Sequence, residues 1–463
     1  MNRDTTIQLI SAAVLTASLG LAGLLMPQLS AKASDAQLYY TDLTSDRETT
    51  ASITDEAVLD IARSVGVLRG IAVNYLWIRA DRLKEDGKFF EAYQIARWIT
   101  QLQPRFARVW QFQAWNMAYN ISVATHTPEE RWDWVQNGIR LLREKGIRYN
   151  PGDMILYKEL AWHFMHKVGG STDDAHRYYK QQMARRWQSI IGEPPYEYEA
   201  RMDQIRAIAE APSSMTELRS QFPEVDQIVA DLEAINLPPG EELLRQIEML
   251  SAIQTSYMGQ KLGLDDQLEQ SEQIEQIEDP SVRAIVSLLA RLRPIRDNAE
   301  YAEAWPIFVN HVRQTVLREN YNMEPEFMLK YMEEFGPLDW RVPFSHALYW
   351  AALGVERALT RINQAEFDQI NTDRLLFHST QNQKFFGRIY FDYLTGEISW
   401  GQDLRYIPYY ENAFEIILDR MPESYQRATT FIDGYRNFMI DAVREYYQWG
   451  EYEKAQEMYA KLR

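Results

Sequence analysis

Seven histidines and no cysteine bound the chemistry this chain can carry. Without a thiol there are no disulfides, thiolate metal sites, cysteine nucleophiles or lipid-modified cysteine anchors. His163, His166 and His176 form the densest ionisable cluster, and the first two lie three apart on one helical face, where imidazoles can share zinc. No carboxylate or cysteine stands at ligand spacing beside them. The simpler expectation is that His163 and His166 flank a packed Trp162/Phe164 helix while His176 caps or solvates the next, so no metal or other cofactor is assigned. Glu129-Glu130 opens a helix after Pro128 and reads as first-turn dipole complementation rather than an acid/base pair. HExxH, GxSxG and GxxxxGK[ST] are absent, and a glycan-cleaving helical solenoid would need a buried catalytic Glu that no pattern singles out. No catalytic residue is assigned; the residues point to binding more than to catalysis.

The elements that must position such a site belong to an acidic chain, with 49 Lys+Arg against 66 Asp+Glu and a net charge of −17, which argues against nucleic acid as a partner. Aromatics make up 13% of residues, enough to build many helix–helix contacts or a binding surface. Ile7–Met26 is an uncharged apolar run that would span roughly 30 Å as a helix, one membrane crossing. Arg3 precedes it and Asp35, Asp42, Asp46 and Glu48 follow, which keeps the N-terminus cytoplasmic and places the bulk on the periplasmic or extracytoplasmic side. Ala31-Lys32-Ala33 offers a signal-cleavage site, but the run exceeds the usual signal core and Asp4 nearly cancels Arg3, so a retained single-pass anchor is the preferred reading. Both versions export the protein.

Residues 34–54 carry neither helical nor strand period and read as a tether after the 1–33 segment. Folded structure is expected from 55, where Val58, Ile61, Ala62, Val65, Leu68, Ile71, Ala72, Tyr75 and Leu76 form the stripe of a long helix that Gly87 ends. The stretch LWIRADRLKEDGKFFEAYQIARWITQLQP places Leu76, Ala80 and Leu83 on one helix and Ala92 on the next, with Gly87 at the turn and Pro104 closing. It resembles a tetratricopeptide repeat, in which small residues let two antiparallel helices approach. FMIDAVREYYQWGEYEKAQEMYAKL repeats the pattern with Ala442, Val443, Tyr446, Gly450, Tyr452, Ala455 and Tyr459. Hairpins at Arg108–Ser122 with the helix from Pro128, and at Asp153–Gly170 with Asp173–Gly192, complete an N-terminal repeat region over 55–192. Residues 193–335 show helical spacing without repeat and read as an irregular acidic helical insert, whose Leu262–Val282 stretch lacks any Lys or Arg before the end and has no calcium-loop pattern. The region 336–463 adds a helix with Ala347, Ala351, Ala352 and Gly354 for close packing, a β-hairpin in Phe386–Trp400 around Thr395-Gly396, and the last repeat. The expected fold is all-α: a tetratricopeptide-like (TPR-like) helical-hairpin solenoid with an irregular insert and one small β-hairpin. The pattern from Trp77 to Pro151, and EFGPLDWRVPFSHALYWA later, also resemble an uncharacterised family of bacterial membrane-anchored helical-repeat proteins, which implies architecture and no activity.

In such a solenoid the first helices line a concave groove. The places that match the repeat family's groove-facing positions are Asn74, Trp77, Asp81 and Lys84; Arg108, Gln111, Trp115 and Tyr119; and Lys158, Trp162 and His166. Asn and Gln can satisfy a bound peptide's amides, and Trp, Tyr, Lys and Arg its side chains or carboxylate, although each Trp could equally be interhelix core. The expected function is that of an exported, membrane-anchored scaffold for a protein or peptide partner. The alternative is an exported helical hydrolase or glycan-binding protein. Met458, Tyr459 and Leu462, on the last apolar face, are expected to pack back on the preceding helix or meet a partner.

Overall fold

The computed structural model describes residues 66–256, 260–261, 277–358, 372–420 and 429–462. The apolar run 7–26, the signal-cleavage triplet, the tether and most of the acidic 262–282 stretch lie outside them; among the described residues no helix is long and apolar enough to cross a membrane. The chain divides into two compact units, one ending at Ile121 and the other beginning at Ser122.

In the first unit, α1 (Gly66–Glu85) packs against α2 (Phe89–Leu102), which α3 (Ala107–Trp115) follows. The α1–α2 turn is closed by Lys88 N–H to Leu83 C=O at 2.8 Å and Gly87 N–H to Lys84 C=O at 3.1 Å, a Schellman turn whose Gly87 sits at φ +74. The core comprises Val73, Leu76, Ala80, Ile95, Ala96, Ile99, Leu102 and Val109. Of the expected stripe, Val58, Ile61, Ala62 and Val65 lie outside the described residues; Leu76 is buried as expected, whereas Ile71 and Tyr75 are mostly exposed, the small Ala80 selecting the face that α2 can approach. α3 continues into a π-helical turn, Asn116–Ile121, which Asn116 Nδ2 ties to the Phe89 carbonyl at 2.9 Å.

The second unit is overwhelmingly helical. It contains α4 (Pro128–Arg140), α5 (Met154–Trp162), α6 (His176–Ile191), α7 (Tyr198–Ala209), α8 (Met215–Gln221), α9 (Val225–Ala234), α10 (Glu241–Thr255) and α11 (Pro280–Arg296). There follow α12 (Ala304–Tyr321), α13 (Pro325–Phe335), α14 (Pro343–Ala358), α15 (Thr372–Phe386), strands β1 (Arg388–Phe391) and β2 (Ile398–Gly401), α16 (Ile407–Arg420), α17 (Thr429–Gln448) and α18 (Tyr452–Leu462). Sequence sets the helix starts: Thr127 and Glu130 form a capping box on α4, so Glu130 serves backbone amides.

α14 is the core of this unit, with Trp350, Tyr349, Leu348 and Ala351 fully enclosed. A helix apolar on every side must be surrounded, and α5, α13 and α15 surround it. The expected small residues permit this: a Cβ at Gly354 would meet Tyr157 Cβ of α5 at 2.5 Å. The 193–335 segment shares the same interior, with Tyr321 of α12 edge-on to Trp187 at 5.1 Å. β1 and β2 pair antiparallel, Arg388 opposite Gly401 and Phe391 opposite Ile398, as the hairpin reading expects.

At the far end α17 and α18 repeat the first turn bond for bond, Glu451 N–H to Tyr446 C=O at 2.8 Å and Gly450 N–H to Tyr447 C=O at 3.2 Å, with Gly450 at φ +80. Met458 packs inward, Leu462 is half-buried and Tyr459 stays largely exposed. A buried ion pair, Lys384 Nζ to Glu445 Oε2 at 3.0 Å, fastens α17 to α15.

Candidate functional site

In the first unit, Asn74 and Asp81 are exposed on α1, whereas Trp77 is half-buried with its ring 5.8 Å from Phe106 and 5.3 Å from Phe112. Lys84 Nζ lies 5.5 Å over Phe112. Thus Trp77 and Lys84 contribute to packing around the α1–α3 core. On α3 the four expected residues form one stripe. Arg108 donates to Gln111 Oε1 at 3.3 Å, and the rings of Trp115 and Tyr119 stack at 4.0 Å with planes 16° apart. Trp115 is the last residue of α3, and Tyr119 lies in the π turn that follows.

The second unit builds the same device on α5. Trp162 ends the α-helical part, His166 lies in the π turn His163–Val168, and their rings stack at 4.7 Å with planes 9° apart. Lys158, one turn earlier, holds its ammonium 5.6 Å over Trp162. Gln111, Trp115 and Tyr119 therefore match Lys158, Trp162 and His166 position for position: a polar residue, then an i,i+4 ring stack across an α-to-π junction. Both stacks are partly exposed. A third π turn, Leu141–Gly146, follows α4 without such a stack on it.

The π turn also changes the histidine geometry. Its wider coil turns less per residue than an α turn, so residues three apart fall farther short of a full turn and His163 and His166 face differently. His163 is fully buried with Nδ1 2.8 Å from the Glu159 carbonyl, whereas His166 is half-buried on Trp162. His176 Nδ1 instead lies 3.1 Å from Lys180 Nζ, and burial lowers that lysine to about 8. Burial, Lys167 and His163 lower His166. Among the described residues no group of three or more His, Asp or Glu is disposed to hold a metal ion.

Four arginines that periodicity does not single out converge elsewhere in the second unit. Asp339-Trp340-Arg341 and Asp403-Leu404-Arg405 fold into one motif twice: the Asp carboxylate accepts the Arg backbone N–H and the Nε–H and Nη2–H of one guanidinium edge, at 3.0, 3.1 and 2.8 Å in the first and 3.1, 2.8 and 2.7 Å in the second. The signal for these clasps is an Asp-x-Arg shortly before a helix-starting Pro, as in DWRVP and DLRYIP, which marks an Asx turn. With Arg201 and Arg388 they line a cavity of about 520 Å³ against the β-hairpin. Behind it, Arg341 Nη1 donates to Gln188 at 3.0 Å and Gln188 donates to the buried Glu248 at 2.7 Å.

Comparison of the chain with family models, curated proteins and solved structures gives no match.

Proposed function

We propose that the chain is an exported, membrane-anchored helical-repeat scaffold of tetratricopeptide-like design that holds a protein or peptide partner outside the cytoplasm. The observation that carries this reading is the recurrent ring stack, Trp115 on Tyr119 and Trp162 on His166, each preceded by a polar or cationic residue one turn earlier. A stacked pair presents a rigid apolar surface at little entropic cost, and adjacent Arg, Gln and Lys supply donors for carbonyls and carboxylates. π turns recur at functional sites because they displace side chains from the α-helical register. The identical Gly87 and Gly450 turns support the repeat design. The export reading rests on Ile7–Met26 and its flanking charges. A hydrolase is less well supported: Glu193 is the one carboxylate lining the cavity among the described residues, and it is exposed.

The test uses the full chain in its native membrane, with a photo-crosslinking residue at 115 or 162. Each position should capture a protein or peptide partner, and Arg108→Ala with Lys158→Ala should reduce the affinity for the partner by about tenfold or more without lowering the melting temperature. Retention of the partner by that double variant would overturn the scaffold reading. A reporter fused after Thr54 should be active outside the cytoplasm; cytoplasmic activity refutes the location.

A further inference from the structure

The 520 Å³ cavity has a charge balance unlike that of the chain around it. Arg405 is neutralised by its Asp403 clasp and further donates to the Tyr196 carbonyl at 2.8 Å. Arg341 is neutralised by Asp339. Arg201 is different: only 6% exposed, it donates Nε to the Pro195 carbonyl at 3.1 Å and Nη1 to the Pro337 carbonyl at 3.0 Å, and among the described residues it has no carboxylate at ion-pair distance. Burying a cation on neutral carbonyls is costly unless another group balances its charge, and the nearby Asp339 is already committed to Arg341. Arg388, on β1, is likewise without a carboxylate among the described residues and stands over the Tyr196 ring at 5.5 Å. Two guanidinium charges are thus left over at the cavity, offset in part by the exposed Glu193 at its rim.

We propose that this cavity binds an organic carboxylate, with its single negative charge held by Arg201 and Arg388 and its apolar body against Tyr196 and Trp400. The charge count selects a monoanion: two free guanidiniums less one rim carboxylate match one negative charge and fall short of a phosphate dianion. The planar fork of arginine suits a carboxylate, to which it donates two parallel hydrogen bonds. The ring surfaces are held in place beforehand, Tyr196 by Arg405 at 4.8 Å on top of Arg388, and Trp400 by Lys180 Nζ at 5.7 Å. The volume accommodates a ligand of two or three amino-acid residues or a single sugar acid with room to spare.

The experiment is calorimetric titration of the full chain in detergent with N-acetyl-Ala-Ala-Phe as the free acid, its C-terminal amide, D-glucuronate and inorganic phosphate. At least one organic acid should bind, and if it is the peptide, the amide should bind at least tenfold more weakly; the tighter of the two acids identifies the source as peptide or sugar. Arg388→Gln, at an exposed position that no internal ion pair uses, should weaken binding about ten- to a hundredfold with an unchanged melting temperature. Arg201→Gln should weaken binding likewise, together with a change in melting temperature because Arg201 is buried on the Pro195 and Pro337 carbonyls, and Arg388→Lys should restore part of the affinity. The proposal fails if neither acid binds at millimolar concentration, if the peptide acid binds and its amide binds as tightly, if phosphate binds more tightly than both acids, or if Arg388→Gln leaves affinity unchanged.

Discussion

Glu248 shows how a single residue can set a pH dependence. Burial, with a smaller push from Glu193, raises its carboxyl to about 7 despite the Gln188 hydrogen bond and the Arg313 and Arg341 charges that oppose it. A carboxyl that holds its proton more tightly folded than unfolded stabilises fully below its ordinary value of 4.5. That contribution is lost as pH rises to about 7, because the fold must then bury a charge. Denaturant unfolding should therefore show stability falling by about 3 kcal/mol across that window, and Glu248→Gln, which keeps an acceptor for Gln188, should flatten this part of the profile. An unaltered profile in the variant would refute the assignment. Lys384 and Glu445 make a contrasting case. Removing one partner by Glu445→Ala strands a buried ammonium and should cost about 3–5 kcal/mol, whereas Lys384→Met with Glu445→Leu should cost far less. None of these pairings is legible in a single sequence, since Lys384 and Glu445, or Gln188 and Glu248, lie sixty or so residues apart with no period linking them. The Asp339 and Asp403 clasps are local and leave an Asp-x-Arg signal that periodicity passes over, while their convergence on one cavity leaves no signal in a single sequence.

Among the elements, the turns and close-packed helices are where local sequence was sufficient. Gly87 and Gly450 occupy the left-handed region with open space beside them, so Gly450→Ala should cost about 1 kcal/mol of backbone strain, and Gly450→Asn less, in the denaturation midpoint. Gly354 is demanding for a different reason. Its Cα faces Tyr157 Cβ directly, so Gly354→Ala must push α14 from α5 and should cost about 1–3 kcal/mol; a shift under 0.5 kcal/mol would contradict that packing. The α1 stripe illustrates the limit of periodicity: Ile71, Tyr75 and Ile78 are as apolar as Val73 and Leu76, and the choice between the faces is made by α2. The π turns escape a 3.6-residue reading altogether, because an i to i+5 step leaves composition unchanged while it rotates everything beyond it.

For the whole molecule, net charge and local charge point in opposite directions. A chain of −17 repels an approaching anion at long range, while the cavity attracts it at short range. The association rate of a bound carboxylate should thus rise, or at least not fall, as salt increases from about 20 to 150 mM and the long-range field is screened. A steep fall, as for a basic protein, would mean that the cavity alone governs encounter. The 193–335 region reads in sequence as an insert because it lacks a repeat; in the structure its helices share the interior of the second unit, Trp187 meeting Tyr321 and Arg143 donating to the Asn320 carbonyl at 3.2 Å. Helix periodicity reports how each segment is built and is silent about which distant segment covers it.

The burial of α14 against α5 fixes when this protein can finish folding. Tyr157 and Gly354 are close to two hundred residues apart in the chain. At about 5–20 residues per second of synthesis, the apolar faces of α5 and α6 wait on the order of ten to forty seconds for their cover. In that interval Tyr157, Phe164 and Trp187 are available to chaperones or to aggregation. Ribosome-arrested chains ending near 335 should be cut readily by protease within 154–191, and chains extended past 390 should resist. Biogenesis of this protein is a matter of keeping α5 and α6 soluble until α14 arrives.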